Sequence, residues 1–315
     1  MTILFDNSIK EALAKCYLST EVTNKTLMPE RFSLPYCALH REIFKVLDDD
    51  SLQQVVITAP RGWGKTSNCT IGYPAKKILF REKKFIVPVS ATATSAVLQG
   101  ENLKNELQTN LTIKQLFGEV KSERFSKDQW ITSTGTMVMP RGAGQQIRGI
   151  LHDRYRPDLI IVDDLETSEG VMSEEQRTKL KEWFFSDLCN SVNRGNKDWK
   201  IVVIGTVLHE DALLVNLLDD PSWHKVELSL CDDEYHSNWP EFMSDDQIKV
   251  LRDQHEGRGQ LDLFFREYMG KPISFEDAVF RQEYFKYYEE HELSLTPREF
   301  SDCRSSQNSQ TSLSR

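Results

Sequence analysis

The chain has 315 residues, enough for one large domain or two small ones. A hydrophobic share of 39% with 10% aromatics supports a packed core and excludes global disorder. A net charge of -9 speaks against a protein that coats nucleic acid, while leaving room for one that touches DNA through a local basic patch. The six cysteines (Cys16, Cys37, Cys69, Cys189, Cys231, Cys303) are scattered, with no pair at metal-ligand spacing. With no signal peptide and no apolar run of membrane-spanning length, a reduced cytosolic setting and no membrane contact are expected.

In chain order, residues 1–30 read as an amphipathic helical lead, "NSIKEALAKCYLSTEV". In "FSLPYCALHREIFKVLDDD", Pro35 precedes a helix with Leu39, Ile43 and Leu47 at helical spacing. "QQVVITAP" is a buried strand running into glycine-rich punctuation, and a helix is expected from about Lys65 to Phe80. "KKFIVPVSA" is a second strand and "TATSAVLQGENLKNELQTN" the helix after it. From Gly118 to Ile150, short alternating stretches and glycine breaks predict a hairpin insertion. "PDLIIVDDLE" is a third strand ending in acids, followed by a helix capped by Ser173 with Gln176 three residues on. "KIVVIGTVL" is a fourth strand and "HKVELSL" a fifth. Strands alternating with helices, several of them continuous apolar runs, predict an α/β fold with a mostly parallel sheet covered on both faces. From Ser301 the chain carries six serines in 15 residues, a composition expected to be disordered.

"VVITAPRGWGKTS" sets a strand, a glycine-containing loop and a helix in the order a phosphate-binding loop requires. Gly62 and Gly64 allow close backbone approach, so that successive N–H groups, with that of Ser67 at the helix start, can face phosphate oxygens. Lys65 can reach the β and γ phosphates of ATP, and Thr66 offers a hydroxyl to Mg²⁺. Ala59 stands where the usual pattern has glycine, a position that needs only a small residue. Arg61 adds a second cation beside Lys65, and no structural need for a charge at that spot is evident. In "LIIVDDLE", four apolar residues deliver Asp163 to the C-terminal edge of the sheet, where ligands bind in such folds. Asp163 is the expected Mg²⁺ partner. Either Asp164 or Glu166 would orient the attacking water, with Asp164 slightly favoured. Gly205-Thr206 ends a neighbouring strand, where a polar side chain can sense the γ-phosphate. His209 follows as a second sensor or a surface residue, and Asp211 looks like a cap for "ALLVNLL". Arg148, flanked by glycine, could supply transition-state charge in its own subunit or a neighbour's.

Together these residues resemble one family, the large subunit of tailed-phage terminases, also called DNA maturase B. The matching pieces are "LPYCALHREIF", "APRGWGKTS", "VSATATSAVL", "IRGILHDRYRPDLIIVDDLE", "VVIGTVLHEDALL" and "LDLFFREYMGKPI", spanning roughly Phe32 to Phe280. The resemblance implies a RecA-like P-loop NTPase domain over 31–280 that hydrolyses ATP to drive double-stranded DNA into a procapsid. It implies Tyr36 and His40 near the adenine, Arg61 against the phosphates, Arg148 at the place of a trans-acting finger, and Gly205-Thr206 as the coupling motif. It further implies a homo-oligomeric ring on the portal protein, DNA received from a small terminase subunit, and a place in the host cytoplasm, transiently on the portal. Members of the family carry a second, nuclease domain. Here residues 281–315 are expected to hold only a linker and a tail. Glu289, Glu290 and Glu292 lie in a polar run with no apolar strand to present them, so DNA cleavage is expected to be absent. The competing readings are a helicase-like ATPase fragment, which would need a second RecA-like domain, and an inactive prophage remnant.

Overall fold

The computed structural model describes residues 6–126 and 128–271. The expected linker and serine-rich tail over 281–315 lie outside the described residues. The helical lead forms α1 (Asn7–Leu18) and α2 (Thr20–Leu27), capped by the side chains of Asp6 and Ser19. α3 (Ala38–Asp48) then leads to β1 (Gln54–Thr58). After the loop the chain winds as a wide π-helix over Ser67–Gly72 and tightens into α4 (Tyr73–Leu79), in place of the single regular helix expected there. β2 (Phe85–Ser90), α5 (Ala93–Thr109) and α6 (Leu111–Phe117) follow.

The predicted insertion joins the sheet. β3 (Lys121–Phe125), β4 (Trp130–Thr132) and β5 (Met137–Val138) form an antiparallel meander that meets β2, and β6 (Arg141–Gly142) pairs parallel with the end of β2. β7 (Leu159–Asp163), α7 (Glu174–Trp183, capped by Ser173), β8 (Lys200–Gly205), α8 (Leu213–Asp219) and β9 (His224–Glu227) complete the parallel part. α9 (Asp245–Gly257), α10 (Leu261–Phe264) and a π turn over Phe265–Met269 come last. The nine-stranded sheet runs β3-β4-β5-β2-β7-β8-β1-β9, with β6 off this path against β2.

Side chains alternate across each strand, so the apolar runs feed two cores. Val55, Ile57, Ile86, Leu159, Ile161, Val202 and Ile204 face one; Val56, Val87, Ile160, Val162, Ile201 and Val203 face the other. The first core also takes in Cys16, Leu27 and Met28, so the helical lead packs into the same core as the sheet. The five cysteines among the described residues are free thiols. Among the described residues no helix is long and apolar enough to cross a membrane.

Register sets up the site. β8 lies between β1 and β7, with Thr58 opposite Gly205 and Asp163 opposite Ile204. Three strand tips therefore end level, the outer two about 10 Å apart at two strand spacings.

A buried lysine ties β8 to the helix before β1. Lys200 Nζ donates to the carbonyls of Val46, Leu47 and Asp49 at 2.7, 2.9 and 2.8 Å, satisfying the C-terminal end of α3. Burial pulls its pKa down to about 8, so the ammonium is still charged at neutral pH and those three carbonyls compensate it. Lys200→Met should remove about 2–4 kcal/mol and lower the melting temperature by roughly 5–10 °C. A thermal-unfolding shift below about 2 °C would show that the cap is dispensable.

Candidate nucleotide-hydrolysis site

The loop after β1 is shaped by two left-handed glycines, Gly62 at φ +80° and Gly64 at φ +66°. A Cβ on Gly62 would sit 2.7 Å from the Phe242 ring, so backbone geometry and a close neighbour both require glycine there. Between them Trp63 is fully buried, its ring stacked on His40 (centroids 5.3 Å, planes 15° apart) and edge-on to Trp239. A carbonyl only accepts, so His40 Nε2 carries the proton toward Trp63 O at 3.1 Å, and Nδ1 accepts from the Cys37 N–H at 3.3 Å. Burial lowers the His40 pKa, in keeping with that neutral ring. A second prop comes from the helical lead. Asn24 Nδ2 donates to Asn68 Oδ1 (3.0 Å) and Tyr36 Oη (3.1 Å), Tyr36 donates to Asn68 Oδ1 (2.8 Å), and Asn68 Nδ2 donates to Gly64 O (3.0 Å).

The polar groups meet where the three tips end. Lys65 Nζ donates to Thr206 Oγ1 at 2.6 Å and to Ala59 O at 3.1 Å, and lies 3.9 Å from Asp164 Oδ1. Thr66 Oγ1 donates to Asp163 Oδ1 (3.3 Å), and Gln99 Nε2 from α5 donates to Asp163 Oδ2 (2.8 Å). Desolvation, with Asp164 beside it, pushes the Asp163 carboxyl up to about 7. The donor set fits Mg²⁺. A hydroxyl and a carboxylate stand side by side, a cation would favour the ionised carboxylate, and buried Gln99 Oε1 has no partner of its own.

Asp164 escapes strand alternation by its backbone. Its N–H donates to Ile204 O (3.0 Å), but φ is +44°, a left-handed conformation that Asp tolerates better than most residues. The turn brings the half-exposed carboxylate to the lysine side of the pocket. Glu166 is used otherwise. Its two oxygens accept from the N–H groups of Leu213 (2.7 Å) and Leu214 (3.1 Å), so it caps α8. Asp211, expected as that cap, pairs instead with Arg177 (3.0 Å) and Lys181 (2.5 Å). His209 Nδ1 accepts from the Asp211 N–H (2.9 Å) in a local turn. The resulting pocket holds about 660 Å³ and is lined by Arg61 to Ser67, Asp164 to Ser168 and the β8 tip with Thr206.

No protein-family model matches the chain, and no curated protein does. Solved structures do. The ATPase domain of the Thermus phage P74-26 large terminase matches with a TM-score of 0.53 at 11% identity, over 78% of this chain and 97% of that domain. The HK97 bacteriophage large terminase matches with a TM-score of 0.50 at 17% identity, over 76% of this chain and 51% of that one. The chain has the fold of a large-terminase ATPase domain. The likeness at these identities is one of fold, and the chain spans about half the length of the HK97 large terminase.

Within the terminase-type ATPase fold, three expected site residues fall elsewhere. His40 is fully buried under the loop and Tyr36 is held by Asn24 and Asn68, so neither forms part of the pocket wall. Both are aromatic members of the loop's floor, where packing outcompetes exposure. Arg61 does line the pocket, yet it has a structural partner after all. Its Nε donates to Glu267 Oε2 at 2.5 Å and its backbone N–H to Glu267 O at 3.2 Å. Arg148 is exposed, anchored by its buried neighbour Ile147, and does not line its own chain's pocket. Gln99 and Trp63 were missed. Gln99 could be suspected only from its place seven residues past the Thr92 cap of the helix after β2.

Glu166→Ala should cost about 1–2 kcal/mol in thermal or urea unfolding, as for loss of a helix cap. Asp211→Ala, an exposed pair, should cost less than about 1 kcal/mol. The reverse ranking would return the cap to Asp211.

Proposed function

We propose that this chain is a nucleoside-triphosphate hydrolase of the DNA-packaging type, the motor portion of a terminase large subunit. The observation that carries this reading is the convergence on one pocket of the Lys65 ammonium, the Thr66 hydroxyl and the Asp164 carboxylate, with buried Asp163 held directly behind Thr66. The fold shared with large-terminase ATPase domains supports it.

In this reading the N–H groups of Gly62, Gly64 and Ser67 cradle the phosphates, and Lys65 neutralises the β and γ oxygens. Thr66 and Asp163 would hold Mg²⁺, which when bound supplies positive charge to the β and γ oxygens. Asp164 orients a water and accepts its proton as the water oxygen bonds the γ phosphorus and the bond to the β–γ bridging oxygen breaks. Asp164 takes this role over Glu166, whose oxygens are both committed to α8. Lys65 must turn from Thr206 to bind phosphate, which gives the β8 tip a direct report of occupancy. Arg61 must leave Glu267 to do the same. Arg148, outside its own pocket, acts on a neighbouring subunit's site in a ring. Double-stranded DNA, a portal protein and a small terminase subunit are the partners this role requires.

Steady-state hydrolysis of ATP tests the assignment. Lys65→Ala and Asp164→Asn should each lower turnover by about 10²-fold or more, with Asp164→Asn still binding nucleotide. Wild-type hydrolysis no faster than Lys65→Ala, with or without DNA, would make the chain an inactive remnant. Mixing Arg148→Ala with Asp163→Ala subunits should recover part of the activity that each lacks alone; no recovery removes the trans role.

A further inference from the structure

A second cleft, of about 450 Å³, opens at the opposite end of the sheet, where β2, β7 and β8 begin. Strands of five or six residues separate it from the phosphate loop by roughly 17–20 Å. Seven of its lining residues are Lys or Arg and four are Asp or Glu, the reverse of the whole-chain balance of 39 to 48.

Hydrogen bonding sharpens this polarity, because most of the lining acceptors are engaged by protein groups. Both Asp158 oxygens accept backbone N–H groups, from Lys84 (2.7 Å) and Phe85 (2.9 Å). Asp50 and Glu82 are both taken by Lys77. The carbonyl oxygens of Asn193 and Asn196 accept the N–H groups of Gly195 (3.0 Å) and Asp198 (3.3 Å), which leaves each NH₂ group available to donate outward. Among the cations, Lys77, Lys83 and Lys200 are spent on protein groups. Lys84, Arg154, Arg156 and Lys197 have no ion pair among the described residues, and the last three are exposed. Asp158 and Asp198 are the two lining acids without a side-chain partner among the described residues, too little to neutralise four cations. Arg154 donates to Tyr155 Oη at 3.3 Å within the same exposed segment, and the Lys, Arg and amide donors on three separate chain segments outnumber the acids there and form a surface for repeated phosphates.

We propose that this cleft is a contact surface for the backbone phosphates of duplex DNA. The choice of DNA as the polyanion rests on the packaging reading; the charge arrangement does not. The test is equilibrium binding of a short duplex of arbitrary sequence to the full chain without nucleotide, by fluorescence anisotropy over a salt series. The Arg154→Ala/Arg156→Ala/Lys197→Ala variant should bind roughly tenfold or more weakly at about 50 mM salt, with the log–log salt slope reduced by about 2–3. Its melting temperature and basal ATP hydrolysis should match wild type, and the charge-keeping Arg154→Lys/Arg156→Lys variant should keep the wild-type slope. Unchanged affinity and slope in the alanine variant overturn the proposal. So does a wild-type chain that binds no duplex, or one from which polyglutamate displaces DNA as well as unlabelled duplex does, which would point to an acidic protein partner. Hydrolysis that fails while this binding holds removes the ATPase reading and leaves the cleft, and the converse separates them equally.

Discussion

The ammonium of Lys65 is enclosed by the hydroxyl of Thr206, the carbonyl of Ala59 and, further off, the carboxylate of Asp164. It ties together, through side-chain contacts, the three chain segments that strand pairing brings level. Residue 65 is about 7% exposed, so this is a charge held in a low-dielectric place with just enough polar contact to keep it there. Any anion entering the pocket competes for the same proton donors. The strand order makes this possible, because inserting β8 between β1 and β7 puts Thr206 within reach of the lysine.

The loop is rigid from beneath and adjustable from the side. Beneath it, His40, Trp63 and Trp239 form an aromatic stack with one defined tautomer, and Gly62 is closed in by Phe242. At its side, the Arg61–Glu267 pair is lopsided, the arginine side chain 68% exposed and the glutamate 7%. The arginine side chain is free to turn into solvent, but the carboxylate it would leave is buried, so parting the two carries a desolvation cost. The pair ties the loop after β1 to the last helical turn of the described chain.

Much of this was legible in the residues. Apolar runs alternating with helical spacing, a glycine loop after one run and acids after another define the sheet and the edge at which chemistry sits. What escaped notice lies in pairings between distant residues. Glu166 reads as a free acid beside a strand end, yet it serves α8, 47 residues on. Arg61 reads as a gratuitous charge until Glu267 is seen, 206 residues away. Tyr36 and His40 are expected near the adenine by resemblance, and aromatic and imidazole side chains suit either a ligand wall or a core. Asp164 was ambiguous for a local reason, since alternation fails at a residue whose backbone turns left-handed.

The chain of amides from Asn24 through Asn68 to the Gly64 carbonyl changes what the first helices are. They look like a detachable leader, and a domain boundary drawn by sequence would fall just after them. Yet α2 carries the outer end of a hydrogen-bonded strut whose inner end is the phosphate loop itself. Trimming the protein at residue 31 would therefore remove one end of the hydrogen-bonded support beneath the loop after β1.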